Sequence, residues 1–250
     1  MISASIKLIS LNIERSKHLD RVLPFLGREK PDVVCLQELC ERDISRFEEI
    51  MGPCRSYGPI VVHPADPPEE GTVVVGTALF ARSPVRNVDA VYYRGSEEHA
   101  RTAPPKRIME DIVLVGSDIE HDDASFRIIT THFTWSSHGQ AIDQQRIDMK
   151  ALLSILGHRG EFILTGDLNA PRGGEIFSIL AEKYKDNVPK EYTTSIDINF
   201  HYAAITDPVG LSAKMVDGLF TTNTYTASDV RLQFGVSDHA AIVATISKAA

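Results

Sequence analysis

Apolar residues recur along the chain in short runs, and their spacing changes between that of strands and that of helices. Compact or alternating apolar runs predict strands, at residues 6–12, 32–38, 72–81, 111–119, 126–133, 162–167, 215–222 and 240–246. Apolar residues three and four positions apart predict helices, at residues 16–27, 40–50, 140–157 and 173–184. Alternating strands and helices, with hairpin-like strands added, indicate an α/β fold.

Polar side chains stand at the ends of four of these apolar strands. They belong to Asn12, Glu38, His132 and Asp167, and the last is followed closely by Asn169. In open α/β sheets, ligands bind in the crevice beyond the carboxyl ends of the strands. We therefore expect these side chains to share one rim of the fold.

Two further polar positions lie near the C-terminal end of the sequence. Asp238 and His239 precede an apolar strand, so they reach the same rim only if that strand runs antiparallel to the others, in a mixed sheet. Asp217 lies inside a predicted strand, where a carboxylate needs a partner. An imidazole is the expected partner, and His239 and His132 are the two candidates.

Each of these residues taken alone has a simple structural explanation. Asn12 suits a helix N-cap, Glu38 a solvated strand end, and Asp167 and Asn169 a turn before Pro171. The joint pattern favours a functional site, because six segments bring carboxylate, amide or imidazole groups to positions compatible with one edge. The remaining histidines are expected at the surface: His18, His63, His99, His121, His138, His158 and His201.

The types of side chain at this rim restrict the chemistry. Two carboxylates and an amide suit a hard cation, Mg²⁺ or Mn²⁺. Zinc would require a tighter set of histidine and cysteine ligands, with a spacing such as His-Glu-x-x-His, which the sequence lacks. The sequence also lacks a P-loop, a dinucleotide-binding glycine fingerprint, a Gly-x-Ser-x-Gly motif, and the Asp-x-His and Gly-Asn-His motifs of dimetal phosphoesterases.

Composition and charge narrow the class of protein. The 250 residues, 43% hydrophobic and 24% charged, suit a large folded α/β domain, and we expect one domain over residues 1–250. The formal net charge of −8 opposes a broad duplex-DNA surface and favours small substrates. Three cysteines without Cys-x-x-Cys spacing fit a reducing compartment. Because signal-peptide and membrane-span patterns are missing, we expect a soluble, cytoplasmic protein; no protein partner is predicted.

Seven strings in a fixed order carry a family resemblance: “LISLNI”, “DVVCLQEL”, “GTALFARSPV”, “ITTHFTW”, “ILTGDLNAP”, “VDGLF” and “SDHAAI”. Together they resemble the endonuclease/exonuclease/phosphatase superfamily, also called DNase I-like, from residue 6 to about residue 246. The resemblance implies a four-layer α/β sandwich of two packed mixed β-sheets flanked by helices. It also implies Mg²⁺-dependent hydrolysis of a phosphoester bond.

The resemblance further implies how the metal and the attacking water are held. Glu38 would be the principal metal ligand with Asn12 beside it, and Asp238 would approach the ion in some states. Asp167 would orient or deprotonate the attacking water.

The other motif residues would act on the phosphoryl group. Asn169 and His132 would donate hydrogen bonds to its oxygens as negative charge builds up. His239, oriented by Asp217, would serve as a general base or, when protonated, as a charge partner for the phosphate.

The sequence leaves the substrate open. His132 stands where apurinic-site nucleases of the superfamily have tyrosine, which makes a function in abasic-site repair a weaker hypothesis. We expect a phosphodiesterase that acts on a small molecule or a single-stranded nucleic acid by in-line attack of water. The alternatives are a DNA or RNA nuclease, a phosphomonoesterase, and a catalytically silent binding module. Secondary candidates for substrate contacts are Arg146 and, from an expected exposed loop at residues 94–107, Arg101, Lys106 and Arg107.

Overall fold

A computed structural model describes residues 4–248, and within them the chain forms twelve strands and six α-helices. The strands are β1 (Ser5–Asn12), β2 (Val33–Cys40), β3 (Cys54–Pro64), β4 (Thr72–Ala81), β5 (Val85–Arg94), β6 (Ile112–His121), β7 (Ala124–His132), β8 (Ile163–Asp167), β9 (Lys185–Asp186), β10 (Asp217–Thr221), β11 (Tyr225–Gln233) and β12 (Ala241–Lys248). The helices are α1 (Leu19–Glu29), α2 (Ile44–Met51), α3 (Glu97–Thr102), α4 (Asp143–Leu156), α5 (Glu175–Ala181) and α6 (Pro208–Leu211).

The strands form two mixed sheets of six strands each. The first sheet has the order β11-β12-β1-β2-β4-β3, and the second has the order β5-β6-β7-β8-β10-β9. Each sheet contains one parallel pair, β1 with β2 and β7 with β8, among antiparallel neighbours. With helices on their outer faces, the two sheets confirm the predicted four-layer α/β sandwich.

The alternation of side chains along β2 shows how the layers are held together. Val33 and Cys35 belong to the apolar cluster between the two sheets, whereas Val34 and Leu36 belong to the cluster under α1 and α2. Successive side chains of a strand point to opposite faces, so an unbroken apolar run is buried on both sides. A third cluster joins the second sheet to α4 and α5. Each fully buried aliphatic side chain contributes about 1.5–3 kcal/mol of transfer free energy.

The eight strands predicted from the sequence are all present, with ends shifted by up to two residues. Four strands were not predicted: β3, β5, β9 and β11. All four form the outer edges of the two sheets, where a strand needs only one apolar face and tolerates residues such as Gly58 and Pro59.

The four predicted helices are confirmed as α1, α2, α4 and α5. The expectation of an exposed loop over residues 94–107 was wrong in part, because α3 lies within it. Ser96 caps α3 by accepting a hydrogen bond from the His99 amide, and Ala100 is fully buried. No helix within residues 4–248 is long and apolar enough to cross a membrane. The organisation of residues 1–250 as one domain stays a prediction.

Candidate active site

The strand ends that carry the predicted polar residues meet at one edge of the sandwich, around a cleft of about 820 Å³. Seven of the eight predicted site residues line this cleft: Asn12, Glu38, His132, Asp167, Asn169, Asp238 and His239. The eighth, Asp217, is buried behind them and contacts His239.

The parallel pairing of β7 with β8 brings His132 beside Asp167. The two residues are in register, and Nε2 of His132 lies 3.4 Å from Oδ2 of Asp167. Gly166 permits this approach, because it has a φ of +137° and a Cβ there would lie 2.0 Å from the carbonyl oxygen of Thr131. The glycine before Asp167 therefore sets the distance between the two strands at the site.

The antiparallel pairing of β8 with β10 brings Asp217 next to Asp167 on the other side. Oδ2 of Asp217 lies 2.8 Å from Nδ1 of His239, so His239 is its partner and His132 is not. Nε2 of His239 lies 3.8 Å from Oδ2 of Asp167. The strand after His239 runs antiparallel to β1, as the sequence predicted. Asp167 consequently lies between two imidazoles.

Asn12 joins the first sheet to the second. Its Nδ2 atom donates to Oε1 of Glu38 at 3.3 Å and to Oδ2 of Asp167 at 3.1 Å, while its Oδ1 atom accepts the Glu14 amide. The helix-capping alternative fails because α1 begins at Leu19, well beyond Asn12. The amide of Asn12 instead holds two carboxylates of the cleft together.

A bulge in β2 turns Glu38 toward the cleft. The register with β4 shifts between Leu36 and Leu39, and Glu38 has a φ of +59°. A non-glycine residue in this left-handed region costs about 1–2 kcal/mol, and such bulges are common beside active sites. The Glu38 side chain keeps 22% of its surface exposed and accepts from Nη1 of Arg15 at 3.1 Å.

Asn169 keeps part of the turn character suggested by the sequence. Its φ is +48°, and its amide donates to Oδ1 of Asp167 at 2.8 Å, as in an Asx-turn. Its side-chain Nδ2 atom donates to the carbonyl oxygen of Phe133 at 2.8 Å. The side-chain amide carries a second hydrogen, and the residue lines the cleft.

Asp238 lies in a crowded acidic part of the cleft. It is 5% exposed and accepts a hydrogen bond from Ser237. Burial and the negative charges of Glu14 and Glu38 raise the pKa of Asp238 to about 7. A bound cation would remove this repulsion, so the oxygen-rich donors around Asp238 fit a hard divalent ion.

Among the described residues 4–248, two groups of histidine and carboxylate side chains have potential metal-ligand atoms within 4.8 Å of one another. One consists of Glu14, His18 and Asp238, and the other of Asp167, Asp217 and His239. Glu14 is a buried residue with a φ of +47°, and its carboxylate binds His18 and Lys17. Neither Glu14 nor His18 was expected at the site, because both lie in the connection after β1, where no periodicity marks them.

The carboxylate of Asp167 and the imidazoles beside it shift one another's pKa. Burial favours the neutral form of Asp167, but the charge of His239 and the hydrogen bond from His132 outweigh it and lower the pKa of Asp167 well below its usual range. Burial also opposes protonation of the two histidines, yet Asp167 raises the pKa of His132, and Asp217 together with Asp167 raises that of His239. Burial raises the pKa of Asp217.

Several residues that were assigned to the surface border the cleft instead. His63 is 9% exposed, and His63, His138 and His201 all line the cleft. They come from loops and a strand edge, where the sequence has no pattern that separates a cleft from open solvent. Only the folded arrangement identifies them.

Of the secondary arginine and lysine candidates, some lie outside the cleft and one lines it. Arg146 pairs with Asp143 and Glu175 away from the cleft, so it is not positioned to contact a ligand there. Arg101 pairs with Glu41 and Glu97, and Lys106 with Glu110, outside the cleft. Arg107 does line the cleft, together with Lys214. Within residues 4–248, neither Arg107 nor Lys214 forms an ion pair.

The fold has clear structural relatives. An endonuclease/exonuclease/phosphatase from Beutenbergia cavernae superimposes with a TM-score of 0.73 at 17% identity, over 98% of this chain and 72% of the other. The catalytic domain of human Nocturnin, with bound sulfate anion, gives a TM-score of 0.68 at 16% identity over 99% and 96%. A mannosyl-6-phosphatase from Bacteroides thetaiotaomicron gives a TM-score of 0.63 at 12% identity over 96% and 99%. At sequence identities this low, the superpositions establish a shared fold and no more.

Two comparisons of the sequence gave different results. None of the curated proteins compared with the chain matches it. The model of the Endonuclease/Exonuclease/phosphatase family matches residues 9–239, a span that contains all eight predicted site residues. Members of this family generally hydrolyse phosphoester bonds. From the match over nearly its whole length, and from the two-sheet sandwich that accompanies it, the protein is a member of the endonuclease/exonuclease/phosphatase family.

Proposed function

We propose that the protein hydrolyses a phosphodiester bond by in-line attack of water, with Mg²⁺ or Mn²⁺ bound in the cleft. The observation that supports this most directly is the environment of Asp167 Oδ2. This oxygen lies 3.1 Å from the side-chain Nδ2 atom of Asn12, 3.4 Å from Nε2 of His132 and 3.8 Å from Nε2 of His239. A buried carboxylate ringed by donors can orient a water molecule and a phosphoryl group together.

The cation would be held by Glu38, Asn12 and Asp238. Their oxygen atoms come from three segments that line the cleft, where burial together with the negative charges of Glu14 and Glu38 raises the pKa of Asp238. When bound, a divalent cation neutralises charge that develops on the phosphoryl and leaving-group oxygens.

The remaining residues would act on the water and the phosphoryl oxygens. Asp167 accepts a hydrogen bond from the attacking water and aligns it. His132 and the free amide hydrogen of Asn169 donate to phosphoryl oxygens. His239, held by Asp217 through Nδ1, faces the reacting group with Nε2. Asp217 is in this scheme a positioning residue.

A phosphomonoesterase is the second candidate. One structural relative is a mannosyl-6-phosphatase, and the cleft contains two cationic side chains, Arg107 and Lys214, that form no ion pair within residues 4–248. A monoester carries one more negative charge than a diester, and free cations would suit it. The net charge of −8 does not favour a nuclease that tracks duplex DNA.

Turnover with defined esters separates these functions. The purified protein would be assayed with Mg²⁺ or Mn²⁺ on bis(4-nitrophenyl) phosphate, 4-nitrophenyl phosphate, and single-stranded and duplex nucleic acids. We expect the diester to be cleaved fastest and Asp167→Asn to lower kcat by about a hundredfold or more. Asp229→Asn is the matched control, because Asp229 is exposed on β11 with a φ of +52° that asparagine adopts readily. A near-normal rate in Asp167→Asn would refute the proposed role.

A further inference from the structure

The segment of residues 197–211 forms one wall of the cleft and is fastened beside the proposed reaction centre. The Asp197 amide donates to the carbonyl oxygen of Asp238 at 2.8 Å, and Oδ2 of Asp197 accepts the Gly235 amide at 2.7 Å. Asp207 caps α6 by accepting the Gly210 amide. These bonds fix the wall relative to Asp238 and His239, so side chains on its inner surface have defined positions.

His201 is a residue of this wall that lies close to His239. Its ring centroid lies 6.4 Å from that of His239, and its Nδ1 atom accepts the Ala203 amide at 3.2 Å. A nitrogen that accepts a hydrogen bond carries no proton, so the proton of the neutral ring is on Nε2. Burial and the charges of His239 and Lys214 lower the pKa of His201 to about 4. His201 therefore presents a neutral Nε2–H donor at neutral pH, as neutral imidazoles do in some active sites.

Tyr202 extends this surface outward along the cleft. Its ring stacks on that of His201, with centroids 4.6 Å apart and planes 27° apart, yet the residue is 70% exposed. Trp135 and Ile108, which are 43% and 57% exposed, line the same cleft. Apolar side chains of this size are usually covered, and a group of them beside a polar centre marks a ligand surface. The outer part of the cleft is thus apolar while the inner part is polar.

We propose that His201 and Tyr202 form a subsite for a planar aromatic ring in the esterified part of the substrate. The ring stacks on the face of Tyr202 that does not contact His201. The Nε2–H group of His201, whose ring is next to both Tyr202 and His239, donates a hydrogen bond to an oxygen or nitrogen atom between that ring and the phosphoryl group. This inference rests on the proposed function, which puts the phosphoryl group at Asp167. The substrate class is accordingly a phosphate ester whose ring is that of a nucleobase or a smaller aryl group.

Aromatic stacking suits this wall better than recognition of a polyanion. Lys214, which lies just beyond the wall, forms no ion pair within residues 4–248, and the wall itself contributes the carboxylate of Asp207 to the cleft. A surface that tracks a nucleic-acid backbone needs several unpaired lysines and arginines in a row. The subsite therefore binds one ring next to one phosphoryl group.

Binding measurements test the subsite without depending on turnover. Isothermal titration calorimetry with Mg²⁺ would compare inorganic phosphate, phenyl phosphate and thymidine 5′-monophosphate. We expect Tyr202→Ala to weaken binding of at least one ring-bearing ligand by about tenfold, the size of one stacking contact, and to leave phosphate binding unchanged. The ligand that responds identifies the ring as a nucleobase or an aryl group.

Two variants serve as matched controls. Tyr202→Phe keeps the stacking ring, and Ile205→Ala removes an apolar side chain from the same wall that is 92% exposed and does not line the cleft. Both should bind all three ligands as the unchanged protein does. Equal affinities of Tyr202→Ala and the unchanged protein for both ring-bearing ligands would overturn the subsite, and so would an equal loss of phosphate binding.

The same preparations separate this inference from the proposed function. If bis(4-nitrophenyl) phosphate is cleaved but Tyr202→Ala retains its affinity for the ring-bearing ligands, the subsite alone is wrong. If the ring-bearing ligands lose affinity in Tyr202→Ala but the phosphate esters and nucleic acids are not cleaved, the proposed hydrolysis is wrong and the subsite stands.

Discussion

Nδ1 of His239 lies 2.8 Å from Oδ2 of Asp217, although Asp217 stands on β10 and His239 just before β12 in the other sheet. Both side chains are more than nine-tenths buried. The contact fixes the ring so that Nε2 faces Asp167, and it links the two sheets at the cleft. The orientation of His239 thus depends on a residue that does not itself line the cleft.

Removing the charge of Asp217 should impair turnover more than binding. Asp217→Asn keeps the shape of the side chain but no longer holds His239 as the Nδ1–H tautomer beside an anion. We expect kcat to fall by about a hundredfold with little change in KM. Steady-state kinetics on a chromogenic diester, with thermal melting to verify folding, would measure this. A proportional rise in KM at constant kcat would contradict the positioning role.

Replacing Glu38 should act mainly on the metal requirement. In Glu38→Gln the amide keeps the Asn12 contact but supplies one negative charge less to a cation. We expect the Mg²⁺ concentration for half-maximal activity to rise by about tenfold or more. Glu49→Gln, on the exposed side of α2, is the control. An unchanged Mg²⁺ titration in Glu38→Gln would argue against Glu38 as a ligand.

Gly166 should tolerate no side chain. In Gly166→Ala the Cβ would lie 2.0 Å from the Thr131 carbonyl oxygen, in a backbone conformation of φ +137°. We expect a loss of about 2 kcal/mol or more in the free energy of unfolding, since β7 and β8 must separate. Gly27→Ala is the contrasting change, because Gly27 lies inside α1 with no atom within 4 Å of an added Cβ. It should stabilise by about 0.5–1 kcal/mol. Urea unfolding of both variants measures the difference.

The low pKa of His201 has a consequence for stability. The folded protein keeps His201 neutral down to about pH 4, whereas in the unfolded chain its pKa is near 6.5. Between these values the unfolded state binds more protons, so acidification through this window lowers the free energy of unfolding.

A substitution isolates the contribution of this one histidine. His201→Asn retains an acceptor for the Ala203 amide but does not titrate. Urea unfolding at pH 7 and pH 5 should show a smaller acid loss in His201→Asn than in the unchanged protein. Equal losses in the two proteins would mean that the His201 pKa is not lowered by folding.

The periodicity of the sequence was enough to predict the interior of the sandwich. Strands such as β2 and β8 begin with apolar runs, at residues 33–36 and 163–164, because these parts of the strands are buried on both faces. The edge strands β3 and β11 were missed, because a strand at the edge of a sheet needs only one apolar face. Both strands also contain glycine, proline or charged residues. Helix α3 was missed because its six residues, Glu97–Thr102, bury only Ala100.

The order of polar residues after apolar strands was also enough to predict which side chains gather at the cleft. His132 and Asp167 follow this rule, because topology brings strand ends together whatever the path of the loops. Glu14 and His201 do not follow it: they lie in connections held by backbone hydrogen bonds to distant segments, from Ile13 to Gln37 and from Asp197 to Asp238. A loop residue carries no local signal of the surface it will face.

The sequence by itself determined the layers of the fold, the family and the set of strand-end residues, because these follow from local periodicity and from motifs in a fixed order. Only the tertiary structure decided that His239 rather than His132 binds Asp217, that Arg146 points away from the cleft, and that His201 and Tyr202 form its wall. The physical reason is that these relationships join residues far apart in the chain. Their distances are set by strand register and by packing between the two sheets.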